Sequence, residues 1–215
     1  MRAEGGKPER NKSERGTSKQ TAVSSCPRLI ALSDPLRAPD PYLLARALPP
    51  GAWLIWRTYG QVQSRKDVTR LARLVHARKG QLLIAGVNQR TGHMARLSDG
   101  LHLPAHRLKG VHTDQFRQRP RSGFQVTAAA HRERDIVAAA RAGVDVVLIS
   151  PVFATASHPG GKTLGPVRFA ALAHRATKLG LKVFALGGMT GAAPWRRLRG
   201  STAIGLAGIS LFRSP

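Results

Sequence analysis

The sequence has one cysteine, few acidic residues and no long apolar run, and each of these absences excludes a class of protein. Cys26 has no second cysteine for an internal disulfide, and no His or Cys lies near it at metal-ligand spacing. No segment approaches the roughly 20 apolar residues of a membrane-spanning helix, and the first residues lack the apolar centre of a signal peptide. We therefore expect a cytoplasmic protein with no membrane partner.

Acidic side chains are the scarce charged groups, with 11 Asp and Glu against 35 Lys and Arg and a formal net charge of +24. Residues 1–27 hold only six of the cations, so most of the excess lies in the rest of the chain. In segment 65–79 cations share one helical face and apolar residues the other, which is typical of a solvated outer helix. The charge would suit an anionic partner such as nucleic acid, acidic lipid or small phosphorylated metabolites. Without aromatic interleaving or a nucleic-acid-binding motif, it favours weak nonspecific adhesion over sequence-specific binding of nucleic acid.

Composition divides the chain at about residue 27. Residues 1–27 are rich in Gly, Ser, Lys, Arg and Glu, with almost no large apolar side chain before Val23. Such a segment buries too little apolar surface to offset the entropy lost on ordering. We predict a disordered basic tail over 1–27 and a single domain over 28–215, which is long enough for a sizeable core.

Strand-like and helical patterns alternate through the proposed domain. Alternation of this kind implies right-handed βαβ units and a parallel sheet, and eight units are the number that closes a (βα)8 TIM barrel. The strand-like runs are 28–33, 52–57, 81–86, 100–103, 124–128, 144–150, 181–187 and 203–207. The helical segments are 40–48, 65–79, 91–97, 131–142, 166–179 and 190–198.

The alternative to a barrel is an open, doubly wound α/β sheet. Such a sheet would carry a dinucleotide if GxGxxG followed the first strand. Residues 31–35 read Ala-Leu-Ser-Asp-Pro instead, so the sequence favours the barrel.

Glycines end the last two predicted strands, where barrels of this type bind phosphate. Gly187 and Gly188 close strand seven, and Ile209 and Ser210 follow Gly208 at the end of strand eight. Their backbone N–H groups and the Ser210 hydroxyl are candidate donors to a phosphate. These glycines would also serve in tight turns without any ligand.

Strand six is followed by a hydroxyl-rich segment, 150–166, that ends in Gly-Gly-Lys-Thr-Leu-Gly-Pro. Thr155, Ser157 and His158 are candidate hydrogen-bond donors to a phosphate, and Lys162 adds a cation. The GGKT sequence is not a P-loop because the spacing GxxxxGK is absent.

Two further side chains are predicted to reach the same rim. Arg57 ends strand two and is a candidate anion anchor or a surface charge. His131 follows strand five at a predicted helix start, where a neutral imidazole could exchange protons or cap the helix.

Five segments in order over residues 28–213 resemble the thiamine phosphate synthase and TenI family, whose members are (βα)8 barrels. Residues 144–166, VDVVLISPVFATASHPGGKTLGP, are similar to the family pattern GADYVxxGPVFxTxxK…LG. The other four segments are DGLHLP at 99–104, TAAAHRERD at 127–135, LKVFALGGMT at 181–190 and AIGLAGIS at 203–210.

The resemblance implies that an aminopyrimidine diphosphate is joined to a thiazole phosphate in the presence of Mg²⁺, with diphosphate leaving. It implies that Thr155, Gly188, Ile209 and Ser210 hold the thiazole phosphate and that Arg57 contacts the diphosphate. Homo-oligomerisation is compatible with the sequence.

The chain departs from the synthase pattern where the metal and the diphosphate would bind. Ala85 and Gly86 stand where the family has an Asn-Asp pair, and no acidic residue occurs in 104–107, so both expected Mg²⁺ carboxylates are absent. The loop lysine is replaced by His158, and the glutamine and lysine beside Arg57 are missing. We therefore predict no metal ligand, although phosphate oxygens and water could still hold Mg²⁺.

Two alternatives to synthase chemistry follow from these departures. Some TenI members isomerise a thiazole carboxylate phosphate by proton transfer with a histidine that His131 matches. The second alternative is a noncatalytic regulatory barrel that keeps the phosphate site and has lost the metal.

Overall fold

Eight parallel strands form a closed barrel in the computed structural model, which describes Met1 and residues 27–61, 63–86, 92–108, 116–155, 160–190 and 192–209. The strands are β1 (Leu29–Leu32), β2 (Trp53–Arg57), β3 (Leu82–Ala85), β4 (Gly100–Leu103), β5 (Gln125–Ala130), β6 (Val146–Ile149), β7 (Lys182–Leu186) and β8 (Gly205–Gly208). Each strand pairs with the next along the chain, and β8 pairs with β1. The predicted (βα)8 barrel is confirmed, and this closure excludes the open sheet.

Helices cover the outside of the barrel in the described part of the chain. They are α1 (Pro41–Ala47), α2 (Arg65–Ala77), α3 (Gly92–Leu97), α4 (Glu133–Arg141), α5 (Gly165–Lys178) and α6 (Ala192–Arg196), and a 3-10 helix spans Ala105–Leu108. Side-chain caps start two of them. Asp40 accepts hydrogen bonds from the N–H groups of Tyr42 and Leu43 at α1, and Ser64 accepts one from Asp67 at α2.

Side chains along each strand alternate between the inside of the barrel and the layer beneath the helices. The inside is filled by bulky apolar side chains, whereas two separate apolar clusters lie under the helices. The inner core consists of Ile30, Leu32, Trp53, Ile55, Leu83, Ala85, Val146, Leu148, Phe184 and Ala207, with Leu186 and Ile209 packed against it. The barrel is therefore solid, and any ligand site must lie at its mouth.

Several predictions concern residues that the structure does not describe. The tail predicted over 1–27 lies outside the described residues except for Met1 and Pro27, and so do Ser157, His158 and Ser210. Within the described ranges, no helix is long and apolar enough to cross a membrane; α5, the longest, has 14 residues.

Candidate active site

The carboxyl ends of the strands bring polar side chains to the inner face of the barrel mouth. Arg57 lies two residues beyond Ile55, a member of the inner core, so it begins on the same face. His102 is the sheet partner of Ala85, another inner-core residue, and Thr127 is the partner of His102. The register of the closed barrel thus directs Arg57, His102 and Thr127 inward.

Arg57 is held against the end of β1 by three hydrogen bonds. Its backbone N–H donates to Ser33 Oγ (2.8 Å), its Nε donates to the Ser33 carbonyl (2.5 Å) and its Nη2 donates to Asp34 Oδ2 (2.9 Å). The guanidinium carbon also lies 5.5 Å from the centroid of the Tyr59 ring. Arg57 therefore lies at the mouth as predicted, but it is already paired with a carboxylate.

Asp34 is a site residue to which no sequence motif points; the only signal is a carboxylate directly after a strand at the ligand-binding rim. Its Oδ1 accepts hydrogen bonds from the N–H groups of Leu36 (3.1 Å) and Arg37 (3.0 Å), while Oδ2 accepts from Arg57. Desolvation raises the pKa of Asp34, but these backbone hydrogen bonds and the charges of Arg57 and Arg37 outweigh it, and the pKa is lowered. Asp34 is thus an ionised partner of Arg57 at neutral pH.

The His131 side chain is held by a residue that follows the neighbouring strand. Helix α4 begins at Glu133, so the helix start predicted at residue 131 is two residues too early. The His131 Nδ1 lies 2.8 Å from the backbone carbonyl oxygen of Ser150, immediately after β6. A carbonyl only accepts hydrogen bonds, so Nδ1 carries the proton and the lone pair of the neutral ring is on Nε2.

The backbone at His131 is also held in place. The N–H groups of His131 and Arg132 donate to Asp135 Oδ2 at 2.9 and 3.2 Å. Asp135 lies in the first turn of α4 and is buried. The Ser150 hydroxyl lies 3.3 Å from the His131 Nδ1 and faces the same ring edge. His131 is therefore an exposed imidazole on a rigid support, with an accepting nitrogen on its far side.

The turn after β6 packs directly against the end of β7. The Val152 N–H donates to the Leu186 carbonyl (3.0 Å), and the Phe153 N–H donates to the Gly187 carbonyl (3.1 Å). A Cβ atom placed on Gly187 would lie 3.2 Å from Thr155 Cγ2. The structure therefore brings Thr155 and Gly187 together, as the hypothesis of a shared phosphate site requires.

At Gly188 the end of β7 comes closest to the turn after β6. Its φ is +67°, and a Cβ atom there would lie 2.6 Å from the Ala154 carbonyl oxygen and 2.7 Å from Phe153 Cβ. Only glycine fits without displacing the turn. The backbone of Gly188 is thus pressed against residues 153–154, next to Thr155.

The structure describes only some of the remaining predicted site residues. Ile209 follows β8 and packs partly buried against the inner core, whereas Ser157, His158 and Ser210 lie outside the described residues. Lys162 is exposed. One cation has no sequence signal at all: the Arg197 guanidinium lies 4.6 Å from the centroid of the Phe153 ring, which brings it to the turn after β6.

His102 is a second histidine in this region, and the sequence analysis predicted no role for it. It is 6% exposed, and its Nδ1 lies 2.8 Å from Thr127 Oγ1. The Thr127 hydroxyl donates to the Leu101 carbonyl (3.3 Å), so it accepts a hydrogen bond from the His102 Nδ1–H. Burial, together with a smaller effect of the Arg57 charge, lowers the pKa of His102 from 6.5 to about 3. His102 is therefore a neutral part of the barrel floor beneath the mouth.

Stability should fall on acidification because of His102. The unfolded chain protonates this residue near pH 6.5, whereas the folded chain does so only near pH 3. Between these values the unfolded state binds more protons, so the free energy of unfolding decreases as pH falls, by up to about 1.4 kcal/mol per pH unit. Urea unfolding at several pH values checks this. The free energy of unfolding of the variant His102→Gln should depend less on pH over this range. The control variant His174→Gln, changed at an exposed residue, should keep the wild-type dependence on pH.

The described residues do not suit Mg²⁺. β3 ends at Ala85 and is followed by Gly86, and β4 is followed by Pro104 and the 3-10 helix, so no carboxylate stands at either described position. Both oxygens of Asp34 are engaged in hydrogen bonds. Within the described ranges, no group of three or more His, Cys, Asp or Glu side chains could hold a metal ion. Residues 87–91 and 109–115, which follow these elements, lie outside the described part.

Known proteins resemble this chain in both sequence and fold. A curated relative from Aquifex aeolicus (strain VF5), named "Putative thiamine-phosphate synthase 2", is 29% identical over 194 residues, which cover 86% of this chain and 97% of the relative. Thiamine phosphate pyrophosphorylase from Pyrococcus furiosus has a TM-score of 0.63 at 16% identity, with 85% of each chain covered. The HpcH/HpaI aldolase from Desulfitobacterium hafniense DCB-2 has a TM-score of 0.55 at 14% identity, with 85% of this chain and 86% of the other covered.

The two structural likenesses confirm the fold. At sequence identities this low they show nothing about function. The family is shown by sequence: the family described as thiamine monophosphate synthase (TMP-TENI) matches residues 34–212, which include strands β2 to β8, whereas β1 lies before the matched range. The barrel and the order of its motifs agree with that match. This chain therefore belongs to the thiamine monophosphate synthase and TenI family.

Proposed function

We propose that this protein is a TenI-type enzyme that binds a phosphorylated thiazole at the barrel mouth and isomerises it by proton transfer through His131. The observation that carries the proposal is the hydrogen bond from His131 Nδ1 to the Ser150 carbonyl (2.8 Å). This bond leaves Nε2 as the accepting nitrogen of an exposed ring on a rigid backbone. A general base needs that combination of fixed tautomer and open access.

The phosphate of such a substrate would bind between the turn after β6 and the ends of β7 and β8. Thr155 offers a hydroxyl, and Gly187 and Gly188 bring backbone to the surface without side chains in the way. Ile209 and Ser210, with Ser157 and His158, complete the set that the family resemblance implies. Arg197, stacked on Phe153, would add positive charge beside this set.

The proton transfer uses one histidine in both directions. His131 Nε2 takes a proton from a carbon of the thiazole substrate, and the electron pair of that C–H bond moves into the ring system. The imidazolium then returns a proton to a second position of the same molecule, so no net acid or base is consumed. The Ser150 carbonyl stabilises the imidazolium because its hydrogen bond from Nδ1–H strengthens when the ring is charged.

Thiamine phosphate synthesis is the second candidate function, and the position of Arg57 favours it. An arginine at the end of β2 faces the mouth, where the diphosphate of an aminopyrimidine would bind by family resemblance. Mg²⁺ would neutralise the diphosphate in that reaction, but the described carboxylates do not suit the ion. For this reason we place proton transfer first.

Two assays on the purified protein test the proposal. The first incubates it with thiazole carboxylate phosphate in D₂O and follows isomerisation and deuterium uptake by NMR. The second supplies aminopyrimidine diphosphate and thiazole phosphate with and without Mg²⁺ and follows thiamine phosphate. Isomerisation alone supports the proposal, and Mg²⁺-dependent coupling alone supports the synthase. Thiazole phosphate binding without either turnover would identify a noncatalytic regulatory barrel.

A further inference from the structure

We propose that the outer side of helices α1 and α2 binds the phosphate backbone of double-stranded nucleic acid without reading its sequence. The surface, which we call the α1–α2 basic face, is a set of exposed cations on and directly after these helices. They are Arg46, Arg65, Lys66, Arg70, Arg73, Arg78 and Lys79. The face lies on the outer wall of the barrel, so the inference does not depend on the function proposed for the mouth.

The first observation is that three of these cations follow one side of α2. Lys66, Arg70 and Arg73 are four and three residues apart, so they succeed one another along the exposed side of the helix over roughly 10 Å. The other side of α2 is buried against the barrel wall. Like charges at this spacing destabilise a helix, and an external anion that lies along them removes the repulsion.

The two helices form one surface at their ends. Arg78 Nη2 donates a hydrogen bond to the Arg46 carbonyl (2.6 Å), which joins the end of α2 to the end of α1. The exposed cations of both helices are therefore neighbours on the same side of the barrel.

The second observation is that the three cations of α2 lack the ion pairs that other cations of the protein form. On another part of the outer wall, Arg175 of α5 lies 3.0 Å from Glu133 of α4. Beyond the end of α2, Asp99 is paired with both His76 and Arg121. No carboxylate in the described part of the chain forms an ion pair with any of the three. Their charge is therefore available to a partner.

Two carboxylates, Asp40 and Asp67, belong to the same helices and serve their folding. Asp40 caps α1, while Asp67 accepts hydrogen bonds from the hydroxyls of Ser64 (2.6 Å) and Tyr42 (3.2 Å). These hydrogen bonds lower the pKa of Asp67, to which the nearby Arg70 charge adds a smaller effect, so Asp67 is ionised at neutral pH. Seven cations against two carboxylates leave a net charge of +5 on the face.

The third observation is that Arg70 is held in place without using its hydrogen-bond donors. Its guanidinium carbon lies 5.0 Å from the centroid of the Tyr42 ring of α1. No described residue accepts a hydrogen bond from it. A guanidinium that is already ordered on a ring loses less conformational freedom when it binds a phosphate.

Among polyanions, the composition of the face favours a nucleic-acid duplex. Helix α2 has no exposed large apolar side chain, and Leu43 of α1 is the one beside it among the described residues, so there is little to insert into a lipid surface. Single-stranded nucleic acid binds by stacking its bases on aromatic rings, but the Tyr42 ring is covered by Arg70. A convex helix that presents cations alone suits the closely spaced phosphates of a duplex.

The test is fluorescence anisotropy with a labelled DNA duplex of arbitrary sequence, titrated at several salt concentrations. A variant with Lys66, Arg70 and Arg73 all changed to glutamine should bind at least about tenfold more weakly at about 0.1 M salt. The slope of the logarithm of the association constant against the logarithm of the salt concentration should become shallower by about 2 to 3, because up to three phosphate contacts are lost. The charge-preserving variant Lys66→Arg with Arg73→Lys should bind as the wild type does.

The matched control removes the same charge from another outer helix. Arg168, Arg175 and Lys178 of α5 are exposed, and changing all three to glutamine should weaken binding less than about threefold. The reason is that charges farther from the duplex than the Debye length are screened at this salt concentration.

Three outcomes would overturn the proposal. Equal weakening by the α2 and α5 variants would mean that the duplex adheres to the whole basic surface. Wild-type protein that shows no salt-dependent binding of the duplex would exclude a nucleic-acid surface. Binding to vesicles that contain phosphatidylserine, with none to the duplex, would identify a lipid surface instead.

Glutamine is a good helix former, so the α2 variant should fold, which circular dichroism checks. Should it fail to fold, Lys66→Gln with Arg73→Gln keeps the contact between Arg70 and Tyr42 and should still make the slope shallower by about 2. An unchanged slope in this variant would contradict the proposal. His131→Gln should bind the duplex as the wild type does, so the result is independent of catalysis at the mouth.

Discussion

Replacing His131 with glutamine should lower the rate of thiazole isomerisation by about 10²- to 10⁴-fold, the range that a general acid or base contributes. The glutamine amide can still donate a hydrogen bond to the Ser150 carbonyl, but it cannot take up a proton. The loss should fall on kcat, with KM little changed, because the proposed phosphate site is on other strands. Steady-state kinetics on the thiazole carboxylate phosphate measure both constants.

The matched control is His174→Gln on the exposed face of α5, which should leave both constants unchanged. If His131 only positioned other groups, the variant His131→Ala would lose activity and the variant His131→Gln would keep most of it. Retention of near-normal kcat by the glutamine variant would therefore contradict proton transfer by His131.

Replacing Gly188 with alanine should destabilise the fold by about 2–5 kcal/mol and weaken binding of phosphate esters. Two costs add: a left-handed backbone conformation disfavours a Cβ atom by about 1–2 kcal/mol, and overpacking costs about 1–3 kcal/mol. The new methyl group would lie 2.6 Å from the Ala154 carbonyl oxygen, so the turn that carries Thr155 must move. Urea unfolding and calorimetry with thiazole phosphate measure the two effects.

Gly180→Ala separates the two costs. Gly180 has a similar φ of +81°, but a Cβ atom there would meet nothing within 4 Å. It should therefore lose only about 1–2 kcal/mol and leave ligand affinity unchanged. Equal destabilisation of the two variants, or undiminished phosphate binding by Gly188→Ala, would mean that the turn after β6 does not depend on the end of β7.

The barrel was predictable because its signal is repeated eight times along the chain. Short aliphatic runs separated by amphipathic segments imply βαβ units, and an error of two residues in one run does not change the count. Strand ends were less predictable. β5 continues through Ala129 and Ala130 because they pair with Leu148 and Ile149 of β6, although alanine has little intrinsic preference for strands. The correct end of β5 is what places His131 before α4 rather than inside it.

Sequence patterns could not predict which side chains pair between neighbouring strands. Asp34 and Arg57 are 23 residues apart, and only the register that sets Leu32 beside Ile55 brings them together. The same holds for His131 and Ser150, which are 19 residues apart and directly follow β5 and β6. Thr155 and Gly187 were both predicted to contact phosphate, yet their proximity depends on how the turn after β6 continues the sheet along β7.

The sequence by itself determined the closed barrel, the strands whose ends form the mouth and the residue types that reach it, because local periodicity and glycine placement are properties of the chain alone. Only the tertiary structure decided which of these residues are available for chemistry. Strand register assigned Arg57 a carboxylate partner and gave His131 a fixed tautomer, and it buried His102 in an uncharged form. Hydrogen bonds and desolvation depend on neighbours that are distant in sequence, and those neighbours exist only once the barrel has closed.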